Sequence, residues 1–455
     1  MVAMVIFALV SSGILVGMLS VLKLTRDSRA IQVASNLAAE QIDLARAADD
    51  LFLLDTQTLP VRTINGETYT IVRTSEWVTN PDTPLQCGVG GAGGAPLRYK
   101  AVTITVTWNG MAPGSEVQSY TVINPSERIN DPTKGTIIVS VTGVDAEGVS
   151  GVTIGATPAS TPNGATALAV NPSPTDSSGC SYILKVTPGN YDVTATKSGY
   201  IDDSQKDVAS KLVQVTVGSS VSVQFSYDRA LTVPVKLASN WTGSTPFFPT
   251  NLDTTFASSY GNYSTVLPAS NTIRLYPISA GYEVMSGKIA TSYPASPPTP
   301  AYPGCTMVDP KAWANQVILT QTYVGKRQPP AAGVPGATLS QVGVPMGIIN
   351  LKSDGTSSRW VKAVSVDGTP RCADTPGTPT TPVMSYTFGQ ILSGGSNNNA
   401  VIALPPGNWK IYTGTSATTQ GTLVGALRMS LPTGIRGTVN ALTNEVQLDP
   451  RTLQP

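Results

Sequence analysis

The chain has 455 residues, 13% of them charged, with 42 glycines and 36 prolines, a composition typical of a mainly β protein with many turns. Its 29 basic and 28 acidic residues give a formal net charge of +1, which favours neither nucleic acid nor an acidic substrate as a partner. Because histidine is absent, the commonest general base and metal ligand is missing, and we expect neither an enzyme nor a cofactor.

The N terminus begins with a long uncharged run. From Met1 to Leu22 there is no charged residue, and no basic residue precedes the run as it would in a signal peptide. As a helix, these residues would extend about 33 Å at about 1.5 Å each, which exceeds a hydrocarbon thickness of about 30 Å. We therefore predict that 1–22 forms a helix suited to a membrane or a filament core.

The helical pattern then continues into a polar segment. No glycine or proline occurs from Leu24 to Leu53. Apolar residues recur at the spacing of one helix face: Ile31, Ala34, Leu37, Ala38, Leu44, Ala45 and Leu51. We predict an amphipathic helix over 23–53 that continues the first segment, so that 1–53 forms one long helix.

The run Val2–Leu9, followed by Lys23, Arg29 and Glu40 in an alanine-rich helix, resembles the N-terminal helix of type IV pilin-like proteins. That family includes major and minor pilins and the pseudopilins of type II secretion. The resemblance implies a β head packed on the second half of the helix, other pilin-like subunits as partners, and a filament built through the helix. The residues that it assigns to assembly are Val5, Ile6, Phe7, Leu9, Ile14, Leu15, Leu19, Leu22, Ile31 and Leu37.

Members of this family carry a basic leader, a cleavage glycine and a glutamate near the mature N terminus. The sequence does not show these residues before Val2, and we expect the true start codon to lie upstream. A prepilin peptidase is a partner if that segment carries the cleavage site. In contrast, Lys23, Arg26 and Arg29 after the apolar run would place this end in the cytoplasm if the flank were complete.

The sequence patterns of the remaining chain predict a row of β modules. The predicted fold class is therefore mainly β with one long N-terminal helix. Alternating strand patterns at Glu67–Arg73, Tyr99–Trp108 and Gln118–Ile123 predict a pilin-like antiparallel head over 54–130. We predict three β-sandwich modules after it, over 133–230, 231–328 and 336–455.

The stretch Tyr182–Tyr200 resembles carboxypeptidase regulatory-like and prealbumin-like sandwich modules, with a Pro-Gly-x-Tyr turn before an alternating strand. The turn recurs weakly at Pro277–Val284 and more closely at Leu404–Tyr412. We expect the aromatic residue after each turn to face the core: Tyr191, Tyr282 and Trp409.

Cys87, Cys180, Cys305 and Cys372 stand singly, so they form neither a zinc motif nor a redox motif. An even number of cysteines fits disulfides in an oxidising exterior, with three pairings open. Because Cys305 and Cys372 lie in comparable proline-rich loops, we favour a Cys305–Cys372 bond, which leaves Cys87 for Cys180.

The sequence favours a minor pilin at the tip or side of a filament, because three extra modules would crowd a main shaft. It would be a single-pass protein of the cytoplasmic membrane before assembly and would then lie on the bacterial surface, where it presents adhesive modules to a surface or carbohydrate ligand. The alternatives are a membrane-anchored surface protein that does not assemble and a type II secretion pseudopilin. Asp202, Asp203 and Asp207 form an acidic cluster without the spacing of a calcium loop, and we predict no metal site.

Overall fold

The computed structural model describes residues 2–48, 51–80, 83–85, 99–125, 131–289, 304–355, 359–366, 384–393 and 399–454. The chain divides into two compact units, Met1–Asp228 and Arg229–Pro455. Within the described ranges, one long helix at the N terminus precedes mainly antiparallel sheets arranged in several modules. The predicted fold class is confirmed.

The first unit starts with the helix and a small sheet, which together form the head. Its elements are α1 (Val2–Arg46), a 3-10 turn (Leu51–Leu53), β1 (Gln57–Ile64), β2 (Glu67–Asn80), β3 (Thr83–Leu85), β4 (Tyr99–Trp108) and β5 (Val117–Ile123). The strands pair in the order β1-β2-β4-β5, with β3 on β2. Burial alternates strictly along β4 because one face of the sheet covers α1.

A β-sandwich follows the head within the same unit. Its strands are β6 (Gly135–Thr142), β7 (Thr153–Pro158), β8 (Cys180–Val186), β9 (Gly189–Thr196), β10 (Tyr200–Asp202), β11 (Val208–Val215) and β12 (Ser220–Arg229). One sheet has the order β10-β12-β6-β8 and the other β11-β9-β7. Alternating apolar side chains from both sheets fill the core between them, including Val139, Tyr191, Val193 and Phe225.

The second unit contains more and shorter strands. They are β13 (Leu231–Leu237), β14 (Asp253–Ser258), β15 (Gly261–Val266), β16 (Thr272–Leu275), β17 (Glu283–Ser286), β18 (Gln316–Ile318), β19 (Gln321–Val324), β20 (Val342–Val344), β21 (Gly347–Lys352), β22 (Arg359–Ser365), β23 (Ser385–Leu392), β24 (Asn399–Leu404), β25 (Gly407–Gly414), β26 (Thr422–Leu423), β27 (Met429–Ser430), β28 (Gly437–Asn440), β29 (Glu445–Leu448) and β30 (Thr452–Leu453). Short 3-10 turns lie at Pro310–Ala312 and Ala426–Arg428.

The predicted boundary at 328–336 does not separate two cores in this unit. Strand β13 pairs in parallel with β20, and Phe247 forms a bridge with Ile402. A single apolar cluster joins Leu252 and Met307 to residues as distant in sequence as Leu448. Parts of 231–328 and of 336–455 therefore share this core.

Two of the three predicted aromatic turns share one geometry. Gly189 and Gly407 have φ values of +149° and +145° and open β9 and β25, and a Cβ at Gly189 would lie 2.2 Å from the backbone nitrogen of Ala165. Two residues further on, Tyr191 and Trp409 are fully buried. Each donates a hydrogen bond to the carbonyl four residues earlier, at 2.9 Å and 3.0 Å.

The third turn differs, although its aromatic residue is also buried. Gly281 has a φ of +73°, and its N–H donates to the carbonyl of Ile278 in a tight turn. Tyr282 is 1% exposed and donates to the carbonyl of Tyr276 at 2.7 Å. All three aromatic side chains thus face a core, as the sequence predicts.

An aromatic cluster joins the head to the sandwich within the first unit. The ring of Phe52 lies 4.7 Å from that of Trp77 in the head and 5.5 Å from that of Tyr182 in the sandwich, measured between centroids. Ile138 of the sandwich is buried in the same cluster. The Lys100 ammonium donates to the carbonyl of Leu51 at 2.8 Å and lies over the Trp77 ring.

Acidic side chains border this joint. Burial raises the pKa of Asp55, and the nearby Asp176 carboxylate raises it further, against the opposite effect of Lys100 and Arg73. Burial also raises the pKa of Asp176, although the N–H groups of Cys180 and Ser178 donate to it. Among the described residues, Asp55 Oδ1 is buried without a hydrogen-bond partner. The ionised form of Asp55 is therefore disfavoured in the folded state.

We expect Tyr191→Phe to lower the free energy of unfolding by about 0.5–1.5 kcal/mol, because the N–H and carbonyl of Thr166 and the carbonyl of Thr187 lose the hydroxyl that they share. Urea unfolding of the full chain measures the change. Tyr120→Phe is the control, since the side chain of Tyr120 is 62% exposed. Equal stability of the two variants would show that the Tyr191 hydroxyl does not hold the turn.

We expect Asp55→Asn to raise the thermal midpoint at neutral pH. A raised folded-state pKa means that stability is fully present below the unfolded-state pKa and is lost as the pH rises through the folded-state pKa. The advantage of the variant should therefore shrink as the pH falls and level off below roughly pH 3, where the wild-type carboxyl is protonated in both states. Asp145→Asn, at an exposed position, is the matched control. A wild type that is more stable than Asp55→Asn at neutral pH would contradict the assignment.

Candidate functional site

The first half of α1 carries large apolar side chains that no other part of the described chain covers. Phe7, Ile14, Leu15, Leu19 and Leu22 are each more than half exposed. They point in several directions around the helix, as their spacing requires. The backbone of Val5, Ile6 and Leu9 lies in the same helix, and their side chains lie outside the described residues.

The second half of α1 packs on the sheet of its own head. Its buried face is made mainly of small residues: Ala30, Ala34, Leu37, Ala38, Ile42 and Ala45. Across from it lie Ile71 of β2 and Ile104 of β4, both nearly inaccessible to solvent. The alanines let the helix backbone approach the sheet closely, and they set the length of helix that the head can cover.

Two residues assigned to assembly lie in this second half. Leu37 is 5% exposed and belongs to the core of the head, so it is not available to another subunit. Ile31 is 42% exposed, although its heptad spacing from Ala38 and Ala45 places it on the same face of the helix. The predicted assembly surface is thereby corrected at Leu37, because the stripe that contains it is satisfied within the chain.

Polar contacts mark the two ends of the helix–sheet contact. At the start, the Arg26 guanidinium pairs with Glu67 at 2.5 Å; at the end, Arg46 donates to the Thr121 hydroxyl at 2.9 Å. Exposed ion pairs add little stability, so the Arg26 pair marks the edge of the helix–sheet contact and contributes little to its energy. The sequence does not predict the Arg26–Glu67 ion pair, since the two residues are 41 positions apart. A local sequence signal exists for Glu67 alone, because the Asn65-Gly66 turn places it at the start of β2.

The geometry gives α1 two distinct surfaces. Residues from about Ala30 onward belong to the head, whereas the uncharged residues up to Leu22 extend beyond it. A helix with large exposed apolar side chains around its circumference is stable in an apolar environment or among other helices. Over the part of the chain that the structure describes, no helix has the combined length and apolar character of a membrane crossing.

The other predicted sites lie apart from the helix. Cys180 and Cys305 each take part in a disulfide, while Cys87 and Cys372 lie outside the described residues, so the favoured pairing stays a prediction. Cys305 is fully buried in the core of the second unit, with its Sγ 3.9 Å from the Sδ of Met384.

The acidic cluster forms a turn between β10 and β11. Asp202 accepts hydrogen bonds from the N–H groups of Ser204 and Lys206, at 3.0 Å and 2.7 Å. Burial raises the pKa of Asp202, against the effect of these donors. Within the described ranges, no three potential ligands gather as a metal site would require.

No protein-family profile and no curated protein matches the sequence. Among solved structures, the chain is similar to the Bacillus anthracis TIE protein, with 11% identity over 85% of this chain and 74% of that one, at a TM-score of 0.19. It is similar to a streptococcal ancillary pilin, with 9% identity over 55% and 76% of the two chains and a TM-score of 0.19. BcpA, the major pilin subunit of Bacillus cereus, shows 10% identity over 70% and 94%, again at a TM-score of 0.19. TM-scores this low support no inference about the fold or the function of this chain.

We expect Ala38→Leu to destabilise the head by about 1–3 kcal/mol, because Ala38 is fully buried against the sheet and the added atoms force the helix away from it. The neighbouring Ala39 is exposed, so Ala39→Leu should change the free energy of unfolding by less than about 0.5 kcal/mol. Urea unfolding of the full chain in detergent compares the two. Similar values for both variants would contradict the packing of α1 on the sheet.

Proposed function

We propose that the chain is a structural, non-catalytic subunit of a type IV pilus-like filament, as a minor pilin at its tip or side. The observation that carries the proposal is the division of α1 between an exposed apolar half and a half buried in the head. A helix that only tethered a folded head would have no need for one continuous rod from Val2 to Arg46. A helix that packs on its own head and also in a helical bundle must be continuous over both parts.

The energetics of association support this role. Full burial of a leucine or phenylalanine side chain contributes about 1.5–3 kcal/mol, and Phe7, Leu15 and Leu19 are each more than half exposed in the single chain. Packing this half among the helices of other subunits would bury these side chains. The head would remain outside, since its own helix face is already covered.

The size of the body favours a minor position. After the head in sequence, the chain carries a sandwich closely joined to it through Phe52 and Tyr182, and then a second unit about as large as the whole first unit. Such a body in every subunit would crowd a filament shaft. At the tip or side it would instead present its β modules to a surface or carbohydrate ligand outside the bacterium.

The proposal also includes the steps before assembly. The uncharged sequence of Met1–Leu22 supports residence in the cytoplasmic membrane, and a prepilin peptidase would act if the complete N terminus carries a cleavage site. Both steps rest on the sequence and its resemblance to pilin-like proteins.

A matched pair of substitutions tests assembly. Leu19 and Leu44 are both 58% exposed, but only Leu19 lies in the uncharged half of α1. We expect Leu19→Asp to remove the chain from sheared filaments, because a buried carboxylate among helices has no partner, whereas Leu44→Asp should be retained. Immunoblots of the filament and cell fractions measure both.

The wild-type control decides between this function and its rivals. Its presence in sheared filaments at a small fraction of the main subunit supports a minor pilin. A wild type found only with cells overturns the filament proposal and favours a surface protein that does not assemble. Equal incorporation of wild type and Leu19→Asp would show that the apolar half is not the assembly element.

A further inference from the structure

A cavity in the second unit lies outside every feature that the proposed function uses. Its volume is about 510 Å³, within the range of sites that hold small organic molecules. Segments distant in sequence meet there, from Ser239 near β13 to Thr452 in β30. Met346 and Leu448 of its lining belong to the apolar core of this unit.

The charged groups around the cavity carry a positive surplus. Lys326, Arg327, Arg436 and Arg451 line it, with Asp449 as the lining carboxylate. Glu283 and Asp309 pair with Arg327, and Glu283 also pairs with Lys311. These groups amount to five cations and three carboxylates. The potential in the cavity therefore favours an anion.

Two of these cations are mainly occupied by acceptors of the protein itself. Arg327 donates through Nε and Nη2 to Asp309 and through Nη1 to Glu283. Arg451 donates to both oxygens of Asp449 and to the carbonyl of Ala314. These two arginines hold the walls and have little capacity left for a ligand.

Two cationic donors remain available. Arg436 donates through Nε to Asp449 and through Nη2 to Gln316, and its guanidinium stacks on the Tyr323 ring at 3.8 Å. In the described part of the chain its Nη1 has no hydrogen-bond partner, and neither does the ammonium of Lys326. Arg436 is thus oriented in advance, whereas Lys326 is exposed and can adjust.

The remaining wall is apolar and rigid. Pro310, Pro345, Met346, Pro406, Ile435 and Leu448 contribute to it. Asn240 fixes the Met346 backbone by accepting from its N–H and donating to its carbonyl, both at 2.9 Å. A wall of this kind accepts an apolar body, which a small inorganic anion does not have.

We propose that this cavity binds the carboxylate of a small organic molecule with an apolar body, with Lys326 and Arg436 holding the carboxylate and the proline-rich wall holding the body. The carboxylate could belong to a free organic acid or to the C-terminal end of a peptide. The shared chemistry is one carboxylate next to an apolar group.

Fluorine NMR of para-fluorobenzoate with the full chain in neutral detergent micelles tests the proposal, with micelles alone as the reference. We expect saturable binding that Lys326→Gln weakens about tenfold and that Lys362→Gln, in β22 and away from the cavity, leaves unchanged. The neutral isostere para-fluorobenzamide should bind at least about tenfold more weakly than the acid, the equivalent of about 1.4 kcal/mol. Lys326 is exposed and has no hydrogen bond or ion pair within the described residues, so we expect its substitution to leave the fold intact.

Competition by a blocked tripeptide, acetyl-Ala-Ala-Phe, distinguishes the two sources of the carboxylate. If acetyl-Ala-Ala-Phe with a free C-terminal carboxylate displaces the probe at a lower concentration than unlabelled para-fluorobenzoate does, and the tripeptide amide does not, the natural ligand is a peptide C terminus. If the tripeptide acid displaces the probe only at a higher concentration, the natural ligand is a small organic acid. The absence of saturable binding, equal binding of the benzamide, or no effect of Lys326→Gln overturns the proposal.

Discussion

The packing of small residues on one face of α1 against the head sheet is the constraint on which the first unit depends. Ala34 and Ala38 are fully buried, and they allow backbone-to-sheet contact that larger side chains would prevent. This contact ends near Arg26, whose ion pair with Glu67 lies at the edge of the sheet. What precedes it has no partner within the described chain, so the same packing that stabilises the head defines the free part of the helix.

Beyond the helix, aromatic side chains perform the comparable task of fixing one module to the next. Phe52 stands between Trp77 of the head and Tyr182 of the sandwich, so these modules are joined by packing as well as by the chain. Tyr191 and Trp409 each close a turn by a hydrogen bond to a carbonyl four residues earlier. Aromatic side chains therefore fix both the contact between head and sandwich and the individual turns of the β modules.

Local patterns predicted local structure well. The uninterrupted stretch without glycine or proline indicated one helix, although the helix ends at Arg46 and not at Leu53. Alternation predicted β2, β4 and β5, and the turn motif placed Tyr191, Tyr282 and Trp409 in a core. In each case the signal lies within about twenty residues, where the period of the pattern reports the structure directly.

Such local patterns could not predict which strands pair when the strands are distant in sequence. Nothing in the sequence shows that β13 pairs with β20 or that Phe247 meets Ile402, so the sequence could not predict that 231–328 and 336–455 share strand pairs and part of a core. Leu37 shows a related limit, because an apolar stripe looks the same whether it faces its own sheet or another subunit. The cavity was missed for the same reason, since Lys326 and Arg436 come together only in the folded unit.

The central claim is that α1 serves two partners, its own head and the helices of other subunits. A photo-crosslinking residue placed at Leu15 and, separately, at Leu44 tests it most directly in sheared filaments. The account predicts subunit-to-subunit adducts from position 15, with the partner peptide mapping to another N-terminal helix, and none of that kind from position 44. Filaments that contain the chain but yield no helix-to-helix adduct from position 15 would contradict it.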